Sequence, residues 1–151
     1  MPGELYALDT NVYVRALRER DRLVRLKRFL IRTGNRLRVN ATVALELRAG
    51  ARTLAQEQAI ADLLAAYADR ERVMVPSFDA YLQGGRVLAS LAAHEGVDVA
   101  RAGSLLNDVM IATSCREQGA RLVTENARDF ATIQRYMRGF RFTGADDVLA
   151  G

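Results

Sequence analysis

Four carboxylates stand where a folding argument does not want them. Asp9 abruptly ends the apolar run Leu5-Tyr6-Ala7-Leu8 and is followed by Thr10 and Asn11. Glu46 is set among Val43, Ala44, Leu45, Leu47 and Ala49, and Asp108 lies within the stripe Leu105, Val109, Ile111 and Ala112. Asp129 follows Thr124, Glu125 and Asn126 within one short loop and turn. A buried ionised carboxylate is costly unless it is paired or bound to a cation. Each acid alone has a plain structural role open to it: Asp9 can start a turn and cap the next helix, Glu46 can be an edge residue, and a helix dipole can favour Asp108. Brought together, the four would repel one another, and the usual resolution is a hard divalent cation bound by oxygens. A ligand set without His or Cys favours Mg²⁺ or Mn²⁺. Such an ion can activate water and stabilise the charge that develops in an in-line phosphoryl displacement.

The elements that must bring these residues together can be read along the chain. Leu5 to Leu8 is continuous rather than alternating, as expected of a strand buried in a parallel sheet. A helical turn or two follows over Val12–Leu17, then a helix from Asp21 to about Thr33, ended by Gly34-Asn35. Leu37–Ala41 reads as a second strand, after which Thr42 caps a short helix over Val43–Ala49. The apolar spacing of Leu54, Ile60, Leu63, Leu64 and Tyr67 predicts a helix over Thr53–Glu71. Val73–Pro76 is a brief strand, and Ser77 an N-cap for a helix over Phe78–His94 that contains Gly84-Gly85. These glycines permit close packing or mark a break; they lack the pattern of a phosphate loop. Gly96–Gly103 is a loop, Ser104 caps a helix over Leu105–Gln118, Ala120–Thr124 is a strand, Ala127–Met137 a helix and Phe140–Phe142 a last strand before a tail with Asp146 and Asp147. Alternating strands and helices predict a three-layer α/β/α fold with a central, mainly parallel sheet, as a single domain over residues 1–151. Ligands bind beyond the carboxyl ends of such strands. Asp9, Thr10, Asn11, Thr124, Asn126 and Asp129 are therefore expected to share one crevice, with Glu46 and Asp108 lining it from helix starts.

Composition narrows the field. The chain is 50% hydrophobic and 26% charged, as in a soluble globular protein, and no apolar run reaches the length of a membrane span. The first residues lack the features of a secretory signal, so a cytoplasmic location is expected. A single cysteine, Cys115, excludes an internal disulfide framework and a cysteine-built zinc site, and reads as a core residue. His94 is the only histidine, no G-x-S-x-G elbow accompanies it, and it reads as a helix-surface residue. The net charge of +4 comes almost wholly from arginine, which suits bidentate phosphate recognition. Arg15, Arg18, Arg20, Arg22, Arg25, Lys27, Arg28 and Arg32 crowd the region after Asp9. They are either a nucleic-acid contact, with Arg15 and Arg22 the candidates, or the solvated face of a helix.

The ordered set Leu8-Asp9-Thr10-Asn11, then Ala44-Leu45-Glu46-Leu47, then Leu106-Asn107-Asp108-Val109-Met110-Ile111-Ala112, then Leu122-Val123-Thr124-Glu125-Asn126-Ala127-Arg128-Asp129-Phe130 resembles a PIN domain. It is most similar to the VapC toxins of bacterial type II toxin–antitoxin pairs, over nearly the whole chain. The resemblance implies a Mg²⁺- or Mn²⁺-dependent endoribonuclease with Asp9, Glu46, Asp108 and Asp129 as catalytic and metal-holding acids, supported by Thr10, Asn11, Thr124 and Asn126. It also implies attack on RNA by activated water to leave a 5′-phosphate and a 3′-hydroxyl, a homodimer, and a small VapB-like antitoxin that blocks the crevice. Glu125 departs from the family, whose members often carry arginine there, and adds negative charge near the crevice.

Other enzymes fail on particular positions. A haloacid-dehalogenase-type phosphatase needs a second acid where Asn11 stands, and it or a receiver domain needs a late lysine, whereas Lys27 is the only lysine. A Rossmann dinucleotide binder needs G-x-G-x-x-G where the chain has Asp9-Thr10-Asn11-Val12. The alternative from another class is a non-catalytic RNA- or protein-binding module on a PIN-like scaffold. Clustered negative charge gains such a module nothing near RNA phosphates.

Overall fold

The structure is a computed structural model that describes residues 3–67 and 70–150. Its centre is a five-stranded sheet of β1 (Leu5–Leu8), β2 (Leu37–Asn40), β3 (Val73–Met74), β4 (Ala120–Thr124) and β5 (Arg141–Gly144), in the spatial order β3-β2-β1-β4-β5. Every pairing is parallel, with Leu8 opposite Val123 and Ala7 opposite Arg38. Between the strands run α1 (Thr10–Arg18), α2 (Arg20–Thr33), α3 (Ala41–Gly50), α4 (Leu54–Ala65), α5 (Phe78–Glu95), α6 (Gly103–Gln118) and α7 (Ala127–Gln134); α8 (Ala145–Leu149) follows β5. Right-handed crossovers place α1–α4 on one face and α5–α7 on the other. The packing agrees: α1 lies on α2 and α3, α5 on α6, α6 on α7, and α8 against α2. This is the expected three-layer α/β/α fold.

The core explains the continuous apolar runs. Ala7, Leu8, Leu122 and Val123 are wholly buried because helices cover both faces of the central strands. Cys115 is buried with them, where loss of solvent pushes its thiol pKa up and leaves it a small core residue. His94 is exposed, its ring stacked on Tyr136. Helix α5 runs unbroken through Gly84-Gly85. A Cβ on Gly84 would come within 2.8 Å of the Met110 sulfur, so this glycine lets α5 lie close on α6 and fixes the helix that carries Asp108.

Several boundaries differ from the expectation, for local reasons. The cap of α3 is Asn40, whose side chain accepts from the Thr42 backbone N–H, so β2 runs directly into the helix without Thr42 capping it. Helix α6 starts at Gly103, with Ala102 rather than Ser104 at its cap. Helix α4 ends at Ala65; of the residues expected to continue it, Arg70–Arg72 form a 3₁₀ turn, and 68 and 69 lie outside the described residues. Helix α7 ends at Gln134 instead of Met137. The expected tail is helix α8, held by burial of Ala145 and Leu149.

Candidate active site

In a parallel sheet of this order, the strand direction of travel reverses at β1. The β1–β4 boundary is thus the topological switch point, where the loops leave a crevice beyond the carboxyl ends of the strands. Asp9 leaves β1 there and Thr124 leaves β4 there. Asp9 is buried and extends the sheet through its backbone N–H to Val123. It caps the next helix as read: Oδ1 accepts from the Thr10 N–H at 2.9 Å, while Oδ2 accepts from the Thr124 hydroxyl at 2.7 Å. The same Thr124 oxygen accepts from the Asn126 N–H at 2.9 Å, which ties the loop after β4 to Asp9. Asn126 in turn donates from its side-chain amide to Asp129 at 2.8 Å.

Glu46 and Asp108 enter from the second turns of α3 and α6, not from the helix starts expected for them. Helices α3 and α6 touch across the end of the sheet. Glu46 accepts from Thr10 Oγ1 at 2.7 Å and from the Asn107 amide at 3.4 Å. Asn107 is a site residue that the sequence reading did not single out, although it sits in the same short motif as Asp108. Asn11 is exposed on the first turn of α1.

Asp9, Glu46 and Asp129 lie near enough to Asp108 for their charges to act on it. Burial pushes the Asp108 carboxyl up to about 7, with the negative charges of Asp9, Glu46 and Asp129 adding to it. Among the described residues, no hydrogen bond or ion pair reaches the Asp108 carboxyl group. The Asp9 carboxyl is also raised, chiefly by burial and further by Glu46, against the hydrogen bonds from Thr124 and Thr10. Among the described residues no three of these carboxylates converge closely enough to form a finished ion cage. The donor set nevertheless suits a hard cation: all oxygen, net negative, and with no ion-pair partner on any of the four acids among the described residues.

The arginines after Asp9 divide. Arg15 is partly exposed, one turn along α1 from Asn11, and pairs with Glu19 and Glu125. Arg22 is buried, bonded to Asp146 at 2.5 Å and 3.7 Å from Glu125. The extra acid Glu125 therefore faces the two arginines. On the other side of α1, Val14, Leu17, Leu47 and Ile60 line an apolar groove of about 390 Å³, with Arg18 and Glu46 also lining it. Val75, Phe78, Tyr81 and Leu82 are exposed at the start of α5, and the last three fall on one helix face. Among the described residues no helix is long and apolar enough to cross a membrane.

Residues 6–136 match the PIN domain family, and the chain belongs to that family. Among solved structures, a chain of the DNA-bound VapBC complex of Salmonella typhimurium is similar with a TM-score of 0.70 and 22% identity, covering 95% of this chain and 99% of that one. A chain of FitAB bound to an IR36 DNA fragment gives a TM-score of 0.68 at 16% identity, over 93% and 95% of the two chains. A chain of VapBC-1 from nontypeable Haemophilus influenzae gives 0.63 at 24% identity, over 93% and 98%. No curated protein matches. At these identities the likeness to solved structures concerns the fold.

Proposed function

We propose that the protein is a divalent-metal-dependent endoribonuclease and the toxin of a VapBC-like pair. The observation that carries this is the uncompensated carboxylate: Asp108 is pushed up to about 7 among three other acids at the switch point of the sheet. Folding gains nothing from such a cluster, whereas a cation would relieve it. Asp9, Glu46, Asp108 and Asp129 would hold Mg²⁺ or Mn²⁺. When bound, the ion supplies water activation and charge neutralisation for displacement at an RNA phosphate. The chain's own groups do the positioning. Thr124 fixes one oxygen of Asp9, Thr10 and Asn107 fix both oxygens of Glu46, and Asn126 holds Asp129. Asn11 and Arg15, on one face of α1, present donors toward a phosphate at the crevice mouth.

The partners follow from the surface and from the complexes in which the similar folds occur. The groove beside α1 fits an apolar segment of a small antitoxin, and Glu46 offers a carboxylate to a cationic side chain at its end, which would block the crevice. The exposed apolar face of α5 fits a second copy of the chain in a cytoplasmic homodimer. The deciding experiment is cleavage of total cellular RNA by purified protein with Mn²⁺, with EDTA, and with Asp9→Asn protein plus Mn²⁺. Discrete fragments in the wild-type Mn²⁺ lane alone are expected. Intact RNA in every lane, with the protein folded, would make it a binding module.

A further inference from the structure

Glu125 is a fifth carboxylate next to the crevice, yet it takes no part in the acid cluster. Its Oε2 accepts from Arg15 Nη1 at 2.8 Å, and its Oε1 stands 3.7 Å from Arg22 Nη1. The two arginines are held very differently. The Arg15 side chain is 39% exposed, and its Nε leans on the more exposed Glu19. The Arg22 side chain is only 9% exposed and is anchored by Nη2 on Asp146. Its Nη1 is buried without a hydrogen-bond partner. A buried guanidinium nitrogen without an acceptor is unfavourable, and the nearest carboxylate oxygen needs to close by only about 0.8 Å to reach ordinary hydrogen-bond length.

We propose that Glu125 is a two-position carboxylate that holds Arg15 in the free protein and moves onto Arg22 Nη1 when an RNA phosphate takes Arg15. This rests on the nuclease reading above. A permanent Arg15–Glu125 pair would oppose phosphate binding; the open donor of Arg22 gives Glu125 a second partner, so the exchange trades one charge-assisted bond for another. Arg15 is then the phosphate contact, and Glu125 and Arg22 are positioning residues. Asp146 fixes Arg22 from α8.

The test is steady-state cleavage of a fluorogenic RNA of mixed sequence with Mn²⁺ over a range of salt, with thermal melts of each variant. Glu125→Gln should lower KM several-fold, more than it moves kcat, and steepen the log–log salt slope of binding by about 0.7, the value of one phosphate on a single strand. Arg15→Gln should raise KM, and the gain from Glu125→Gln should vanish in the Arg15→Gln background. A mere loss of negative charge would survive there. Arg22→Gln should raise KM by locking Glu125 on Arg15, and adding Glu125→Gln should restore it; Arg22→Lys serves if Arg22→Gln does not fold. An unchanged or raised KM in Glu125→Gln, or additive effects of Arg15→Gln and Glu125→Gln, would overturn the proposal. Wild-type protein that cleaves nothing would instead sink the nuclease reading. Anisotropy of a fluorescein-labelled RNA oligonucleotide would then decide the exchange by the same order of variants.

Discussion

The two ends of the central sheet treat a carboxylate in opposite ways. At the amino ends of the strands, Glu4 receives hydrogen bonds from Arg121 of β4 at 2.8 Å, Arg141 of β5 at 2.7 Å and Tyr6 of β1 at 3.3 Å. Burial pushes the Glu4 carboxyl up, but these bonds and the two guanidinium charges outweigh it, and its pKa lies below the ordinary value. At the carboxyl ends, Asp108 has burial and three like charges around it and, among the described residues, no ion-pair partner, and its pKa rises to about 7. The first arrangement is complete within the chain and sutures three neighbouring strands. The second has like charges that meet no ion-pair partner among the described residues. The region of Glu125 is intermediate: paired, but with one buried donor still open.

The largest way to break this contrast is in activity. Asp108→Asn and Asp9→Asn should each lower RNA cleavage by about 100-fold or more, since loss of a ligating group exceeds loss of its support, with circular dichroism unchanged. Wild-type turnover in both would mean that the uncompensated end is not the catalytic one. Next is metal itself. Mg²⁺ or Mn²⁺ at about 100 times its dissociation constant should stabilise the protein by about 2.7 kcal/mol, read as a rise in melting temperature that EDTA reverses and Asp108→Asn diminishes. No shift would leave the acid cluster without its proposed ligand.

Stability against pH sharpens the contrast further, because the two ends have opposite signs. Asp108 is raised in the folded metal-free protein, so the native state holds its proton between about pH 4 and 7 while the unfolded chain does not. Its ionisation penalty therefore grows over that window as pH rises and is fully present above about 7. Metal-free Asp108→Asn should be more stable than wild type at pH 8 by roughly 1–2 kcal/mol after discounting for solvent screening, with little difference at pH 4. Glu4 is lowered, so its contribution is present at neutral pH and lost as pH falls through the acidic range. Glu4→Gln should therefore destabilise at pH 7, by less than about 1 kcal/mol because the site is only partly buried and solvent screens it. Chemical denaturation of both variants across this range checks both signs; a shared sign would show that the two ends do not differ as described.

Much of this was legible in the residues. The run Leu5–Leu8 ending in Asp9 marked both the central strand and the site, because only a strand covered on both faces is apolar without alternation. Ser77 was readable as a cap, and acts so. The boundaries that shifted involve competition between neighbours: Asn40 and Thr42 can each cap α3, and tertiary context selects Asn40, whose amide also donates to the Ile111 carbonyl. Helix α8 was missed because a five-residue helix carries too little periodicity to declare itself; it exists by packing on α2. Arg22 showed why charge in sequence misleads. It sat in a basic run that read as a surface, but Asp146 and Glu125, more than a hundred positions away, bury it.

The sequence by itself determined the strands, the longer helices, their alternation and the identity of the misfit acids, because these rest on local periodicity and on the cost of burying charge. Only the tertiary structure decided which charge answers which. Electrostatic energy depends on distance through space, and the parallel crossovers set that distance: they carry Glu4 to Arg121 and Arg141, Arg22 to Asp146, and leave Asp108 facing other acids.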